Sequence, residues 1–239
     1  MSYAMTHLII ADRTAKKQNI KNRDLFLLAG ISPDAVHNRD DFSFRLKADA
    51  HDMQPDEKWG EIYTDESMLK WYNRVIEFYK SKLALVTNDR EKDYLWGYIQ
   101  HIMVDIYNCK LLYAPQLIKY DFKVELMREE YRRECILQDN YLYQNYDSSE
   151  EIAELLIETS KREDEVQEIL NRLELDVFIS AKNLVDNVNY HTSGYSKAEK
   201  ASLDNLEMVS VESSHMFLDT VEAQTNRIVF SGKEEPLFE

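Results

Sequence analysis

The chain has 239 residues and a formal net charge of −15, from 44 acidic and 29 basic side chains. That balance excludes a broadly basic nucleic-acid-binding surface, which needs clustered Lys and Arg. It leaves phosphate-ester chemistry open, because a bound dication inverts the local field. Hydrophobic residues make up 44%, with only 5 Gly and 4 Pro, a composition that favours one helical domain over a sandwich or barrel. Neither glycine-rich phosphate-binding pattern occurs. Cys109 and Cys135 sit in apolar-periodic runs and are too few for a disulfide framework, which fits a reducing compartment. The start of the chain lacks the basic region of a signal peptide, and no stretch approaches the length of a membrane span. A cytoplasmic location is expected.

In chain order, Thr6 is the expected N-cap of a first helix reaching about Lys17, with His7 in its first turn. A short apolar helix over 22–29 ends at Gly30. Ile31 to Gly60 reads as one long irregular stretch carrying Asp34, His37 and His51, and long loops are often functional. Thr64 caps the next helix. Asn88-x-x-Glu91 is a capping box for a helix that should end near Ala114, before Pro115. Further helices are expected over about 123–146, from Ser148 or Ser149 to Ser160, over 163–187, and from Ser196 to about Asn226. A loop is expected at Tyr190-His-Thr-Ser-Gly. The whole predicts an all-α single domain of seven or so helices over 1–226, followed by a disordered tail over 227–239.

The most informative spacing is His101-x3-Asp105. Residues i and i+4 share one helix face, so an imidazole and a carboxylate aim at one point, a donor pair that suits zinc. Tyr94, Gly97 and Asn108 extend the stripe. A mid-helix glycine costs about 1 kcal/mol relative to alanine but lets a backbone or ligand approach. A lone pair of this kind is more often hydrogen-bonded than metal-bound, so the reading depends on what else converges there. His7, Asp34 and His51 are the candidates.

In this order and with these flanks, Thr6-His7-Leu, Phe-Leu-Leu-Ala-Gly-Ile-Ser-Pro-Asp34, His51 after a Lys-containing spacer, and Gly-Tyr-Ile-Gln-His101-Ile-Met-Val-Asp105 resemble the zinc-dependent phospholipase C family. That family shares its all-α multi-helix fold with the zinc-dependent single-strand nucleases. The resemblance covers roughly residues 5–110. It implies that Asp34, His51, His101 and Asp105 form one zinc site, with Asp105 bridging to a second metal that also takes His7. Paired zincs would activate water against a phosphodiester. Asp34 could instead serve as general base. The chain departs from the family in lacking its N-terminal ligand set and its downstream His and His-x3-Glu. Glu130-x3-Glu134 stands there instead, and His215-x3-Asp219 lies too far along the chain to be equated. A reduced site of one or two Zn2+ is therefore expected.

His37 is a candidate pocket residue. Arg39 is a candidate for a substrate phosphate, although an ion pair with Asp40 or Asp41 is the commoner outcome. The leading expectation is a zinc-dependent phosphoester hydrolase acting on a small-molecule, phosphodiester or phospholipid-like bond. Its rival is a non-catalytic helical protein with a structural or vestigial metal.

Overall fold

The computed structural model describes residues 4–54, 57, 61–195, 218–220 and 222. Ten α-helices lie among them: α1 (Ala4–Gln18), α2 (Arg23–Ala29), α3 (Phe44–Ala50), α4 (Asp65–Leu83), α5 (Asp89–Asn108), α6 (Ala114–Lys119), α7 (Val124–Asn145), α8 (Ser149–Ser160), α9 (Glu163–Arg172) and α10 (Ala181–Tyr195). There is no strand among the described residues, and no helix is long and apolar enough to cross a membrane. The buried apolar side chains of α1, α2, α4, α5 and α8–α10 form one continuous core. A smaller cluster of Tyr113, Leu117, Met127, Tyr131 and Cys135 lies under α6 and α7.

Helix α5 is the axis of this arrangement, buried on every face from Gly97 to Asn108. Its neighbour α2 is the run Leu25-Phe-Leu-Leu-Ala29, also buried throughout. The two touch at Gly97. A Cβ there would stand 2.2 Å from the Phe26 carbonyl oxygen and 2.9 Å from the Ala29 Cβ. The glycine therefore admits a neighbouring backbone, and close packing offsets its low helix propensity.

Local caps behave as the sequence predicts at Thr64, whose side chain accepts from the Ser67 N–H in a capping box. Asn88 caps α5 by accepting from Arg90 and Glu91 N–H, but the box does not close. The Glu91 carboxylate instead accepts from the N–H and hydroxyl of Thr87.

Five further expectations are corrected. Thr6 lies inside α1 rather than capping it. The N–H of Met5 is taken by Asp139 of α7 at 2.7 Å, so a distant carboxylate does the capping. The stretch after Ile31 is not irregular throughout: it contains a 3-10 turn (Pro33–Asn38) and α3, whose Ser43 cap accepts from Leu46 N–H. Pro115 does not stop the helical path. A wide π turn at Cys109–Tyr113 precedes it, relieving the clash of the proline ring with the previous turn.

The helix expected over 163–187 breaks after Arg172. Glu174 takes a left-handed conformation (φ 52), the Leu175 N–H donates to Leu170 O at 2.8 Å and the Glu174 N–H donates to Asn171 O at 3.2 Å. This is a Schellman ending without its usual glycine. The loop expected at Tyr190–Gly194 is instead the last turns of α10, where Thr192 and Ser193 hydroxyls donate back to helix carbonyls. The expected helix from Ser196 falls outside the described residues, apart from 218–220 and 222. The same holds for His215 and the 227–239 tail, whereas Asp219 pairs with Arg13 at 2.9 Å.

Candidate metal centre

The five expected ligands are delivered by four local elements. His7 projects from the first turns of α1, and Asp34 sits in the 3-10 turn behind Pro33. His51 is the C-cap of α3. Asp52 follows it in the left-handed region (φ 50), and the Met53 N–H donates back to Ala48 O at 2.9 Å. That Schellman ending is pinned from α4: Arg74 donates to the Asp52 side chain and carbonyl, and Trp71 Nε1 donates to His51 O at 2.7 Å. His101 and Asp105 come from the centre of α5.

The structure brings all five together. His51 Nδ1 donates to Lys47 O and His101 Nδ1 donates to Gly30 O, both at 2.8 Å. A carbonyl can only accept, so each ring carries its hydrogen on Nδ1 and presents a lone pair at Nε2. The two Nε2 atoms stand 3.2 Å apart. Burial pushes His51 down to about 4 and His101 to about 3, with nearby Asp34 and Asp105 opposing only in part. Two neutral imidazoles thus face each other lone pair to lone pair, an arrangement that is repulsive until a cation lies between them.

Carboxylates complete the ring. His51 Nε2 is 3.6 Å from both Asp34 Oδ1 and Asp105 Oδ2. His101 Nε2 is 3.9 Å from Asp34 Oδ2 and 3.8 Å from Asp105 Oδ2. Ligands held about 2.0–2.1 Å from a tetrahedral zinc lie about 3.3 Å from one another. The separations named here, 3.2 to 3.9 Å, are close to that size.

The other Asp105 oxygen, Oδ1, is 3.5 Å from His7 Nε2. The His7 ring stacks on His101 with centroids 3.8 Å apart and planes 10° from parallel. His7 is buried, and neither of its nitrogens has a hydrogen-bond partner. Such an orphaned buried polar group is rare in native proteins and asks for a reason. His101 has one nitrogen to give, so it can serve one ion. A second ion would fall to His7 and Asp105 Oδ1. Burial raises the Asp105 carboxyl, but the adjacent His7, followed by His101 and His51, outweighs it and holds the group well below the usual range.

Lys47 in the centre, and His191 within electrostatic reach of it, were missed as functional candidates. Lys47 is buried, with Nζ 2.6 Å from Asp34 Oδ1 and 3.0 Å from His37 Nε2. Burial favours the neutral acid at Asp34. Lys47, followed by His101, His51 and His37, reverses that and keeps it ionised far below its ordinary value. The spacing Lys47-x3-His51 was available as a signal, being the same i, i+4 relation as His101 and Asp105. His191, read as part of a loop, is on α10, partly buried and within electrostatic reach of Asp34, His7 and His37. Burial pushes it down to about 4.

His37 lies beside Asp34 at 3.9 Å, its ring against Phe42. Arg39 points elsewhere. Its Nε and Nη2 grip Asp41 at 2.7 and 2.8 Å, and Nη1 donates to the carbonyls of Val177 and Phe178. The His/Asp constellation can hold a metal ion in two overlapping groups, His7–His101–Asp105 and Asp34–His51–His101. No family model, curated protein or solved structure matches the chain.

Proposed function

We propose that the protein is a zinc-dependent hydrolase of phosphoesters, of the phospholipase C and single-strand nuclease type, acting on a small phosphodiester or phospholipid-like substrate. The observation that carries the reading is the pair of Nε2 lone pairs 3.2 Å apart, ringed by two ionised carboxylates. His51, His101, Asp34 and Asp105 Oδ2 would hold one ion, and Asp105 Oδ1 with His7 a second. Imidazole with carboxylate is a zinc donor set. Bound zinc supplies Lewis-acid polarisation of a phosphoryl oxygen and acidifies water. Stable nucleic-acid binding is not expected at a net charge of −15. The buried free thiols Cys109 and Cys135 support a cytoplasmic location.

Asp34 serves as ligand rather than general base in this reading. A base works best with a pKa near the operating pH, and Lys47 holds this carboxyl far below it. The test is metal analysis of protein purified without added zinc, together with hydrolysis of bis(p-nitrophenyl) phosphate. One or two zincs per chain are expected, lost in His51→Ala and His101→Ala, with turnover abolished by chelator and restored by zinc. Absence of any transition metal, before or after zinc addition, would sink the proposal.

A second reading, a non-catalytic protein with a structural metal, draws on the depth of the site. The side chains of His7, His51, His101 and Asp105 are each at most 2% exposed. It predicts tight metal with no turnover.

A further inference from the structure

We infer that Lys47 is the resident counter-cation of Asp34 and competes with the metal for it, so that the centre trades one cation for another and binds its ion less tightly than its donor set alone would. The inference rests on the metal reading above and adds to it a residue that regulates occupancy. Lysine is almost never fully buried unless it is paired. Lys47 is 6% exposed, and its Nζ stands 2.6 Å from Asp34 Oδ1 and 3.0 Å from His37 Nε2. An ammonium can only donate, so His37 Nε2 accepts from it. The His37 ring is itself held against Phe42, with centroids 4.5 Å apart.

Residue 47 meets the centre twice, in opposite senses. The Lys47 carbonyl takes the Nδ1 hydrogen of His51 at 2.8 Å and so turns the Nε2 lone pair of that ring toward the other donors. Outer bonds of this kind favour metal binding. The Lys47 side chain acts on Asp34. The Oδ1 atom that faces Nζ is also 3.6 Å from His51 Nε2, so the ammonium sits on an oxygen of the donor ring.

Two effects of that ammonium oppose each other. A hydrogen bond to a ligating carboxylate orients it and strengthens metal binding. A positive charge on the same carboxylate repels the incoming dication. Geometry decides between them. Asp34 Oδ1 is buried and has no hydrogen-bond partner, although Nζ is 2.6 Å away. The contact matches charge without the directed bond that would orient the oxygen. Repulsion remains, and between an ammonium and a dication on one carboxylate it is strong even at an effective dielectric of about 20. This holds whatever else Lys47 touches, because both cations act on Asp34. His37 Nε2 gives the ammonium a second acceptor when the ion takes the carboxylate.

The test is competitive titration of metal-stripped protein with zinc against a chromophoric chelator. Lys47→Met, which keeps the length of the side chain and the backbone carbonyl, should bind zinc about tenfold more tightly than wild type. Lys47→Arg, which keeps the charge, should stay near wild type. A merely structural loss would weaken zinc binding, so the direction of the change is diagnostic. Should Lys47→Met not fold without metal, zinc release from the loaded protein is measured instead, and it should be slower than in wild type. Unchanged or weaker zinc binding in Lys47→Met, or faster release, would overturn the inference. So would a gain that disappears in the double variant Lys47→Met, His37→Phe, since it would then come from His37 joining the ligands. A wild-type protein that takes up no zinc would instead remove the metal reading itself, and this inference with it.

Discussion

Two buried polar clusters in this protein look alike in composition and differ in kind. Asp12 on α1 is fully buried. Its Oδ1 accepts from Arg23 Nε and Nη2 at 2.9 and 2.6 Å, and its Oδ2 takes the Tyr146 hydroxyl at 2.7 Å and lies 2.8 Å from Lys16 Nζ. Burial opposes its ionisation, but these partners together hold the carboxyl below its usual value. Every oxygen meets a donor and the charge is matched within the chain. In the His7–Asp34–His51–His101–Asp105 cluster, by contrast, two lone pairs meet at 3.2 Å and one imidazole has no hydrogen-bond partner. The first cluster is closed, whereas the second could hold a metal ion. Buried charge alone therefore does not mark a site here; mismatched donors and acceptors do.

The sharpest way to break this comparison is to remove the cation. Zinc at 1,000 times its Kd stabilises the native state by about 4 kcal/mol, about 10 °C in melting temperature for a chain of this size. Chelation should reverse that shift in the wild type and leave His101→Ala unaffected. A wild-type melting curve indifferent to chelator would place both clusters in the closed class.

The pH response of the metal-stripped protein should separate the clusters next. His51 and His101 titrate near 4 and 3 when folded but near 6.5 as free side chains. Between these values the unfolded chain binds more protons, so stability falls as pH drops. The loss is up to about 1.4 kcal/mol per pH unit for each histidine. It should begin near pH 6.5. Asp12 is depressed from 3.8, so its contribution should persist until the pH falls below that value. Urea denaturation at pH 7, 6 and 5 measures the difference, and a flat profile would contradict it.

Asp12→Ala should cost about 2–3 kcal/mol, the lower end for a broken buried pair because Arg23 keeps some solvent contact. Metal content should stay the same. Lys47→Met should cost about 2 kcal/mol in stripped protein, where Asp34 loses its counter-ion, and less with zinc bound. Melting curves with and without chelator test both. The smallest effect is expected at Arg39. Arg39→Ala loses the pair with exposed Asp41 and the bonds to the Val177 and Phe178 carbonyls, together on the order of 1 kcal/mol, and should leave KM for a phosphoester unchanged. A tenfold rise in KM would return Arg39 to the substrate site.

Much of the secondary structure was legible because its determinants are local. The caps at Thr64 and Asn88, the apolar period of α4 and α5, and the shared face of His101 and Asp105 all depend on residues within a turn of one another. Gly97 could be flagged from the sequence as a close approach, but not as an approach by Phe26 rather than by a ligand. The misses have the opposite character. Glu174 adopts a left-handed ending that usually signals itself through glycine, and α1 is capped by a carboxylate from α7, 134 residues away. His191 looked like loop because Thr, Ser and Gly follow it, yet it stands on α10.

The sequence by itself determined which side chains could act: the helical periods, the i, i+4 pair on α5 and the order of His7, Asp34 and His51 before it. Only the tertiary structure decided which buried acid is a site and which is a brace. Asp12 and Asp105 are both buried acids on helices, and each has an i, i+4 partner, Lys16 and His101. What differs is the partner that packing brings to each: guanidinium, ammonium and hydroxyl donors for Asp12, and imidazole lone pairs for Asp105. Complementarity between elements far apart in the chain is set by how helices pack, and no local pattern encodes it.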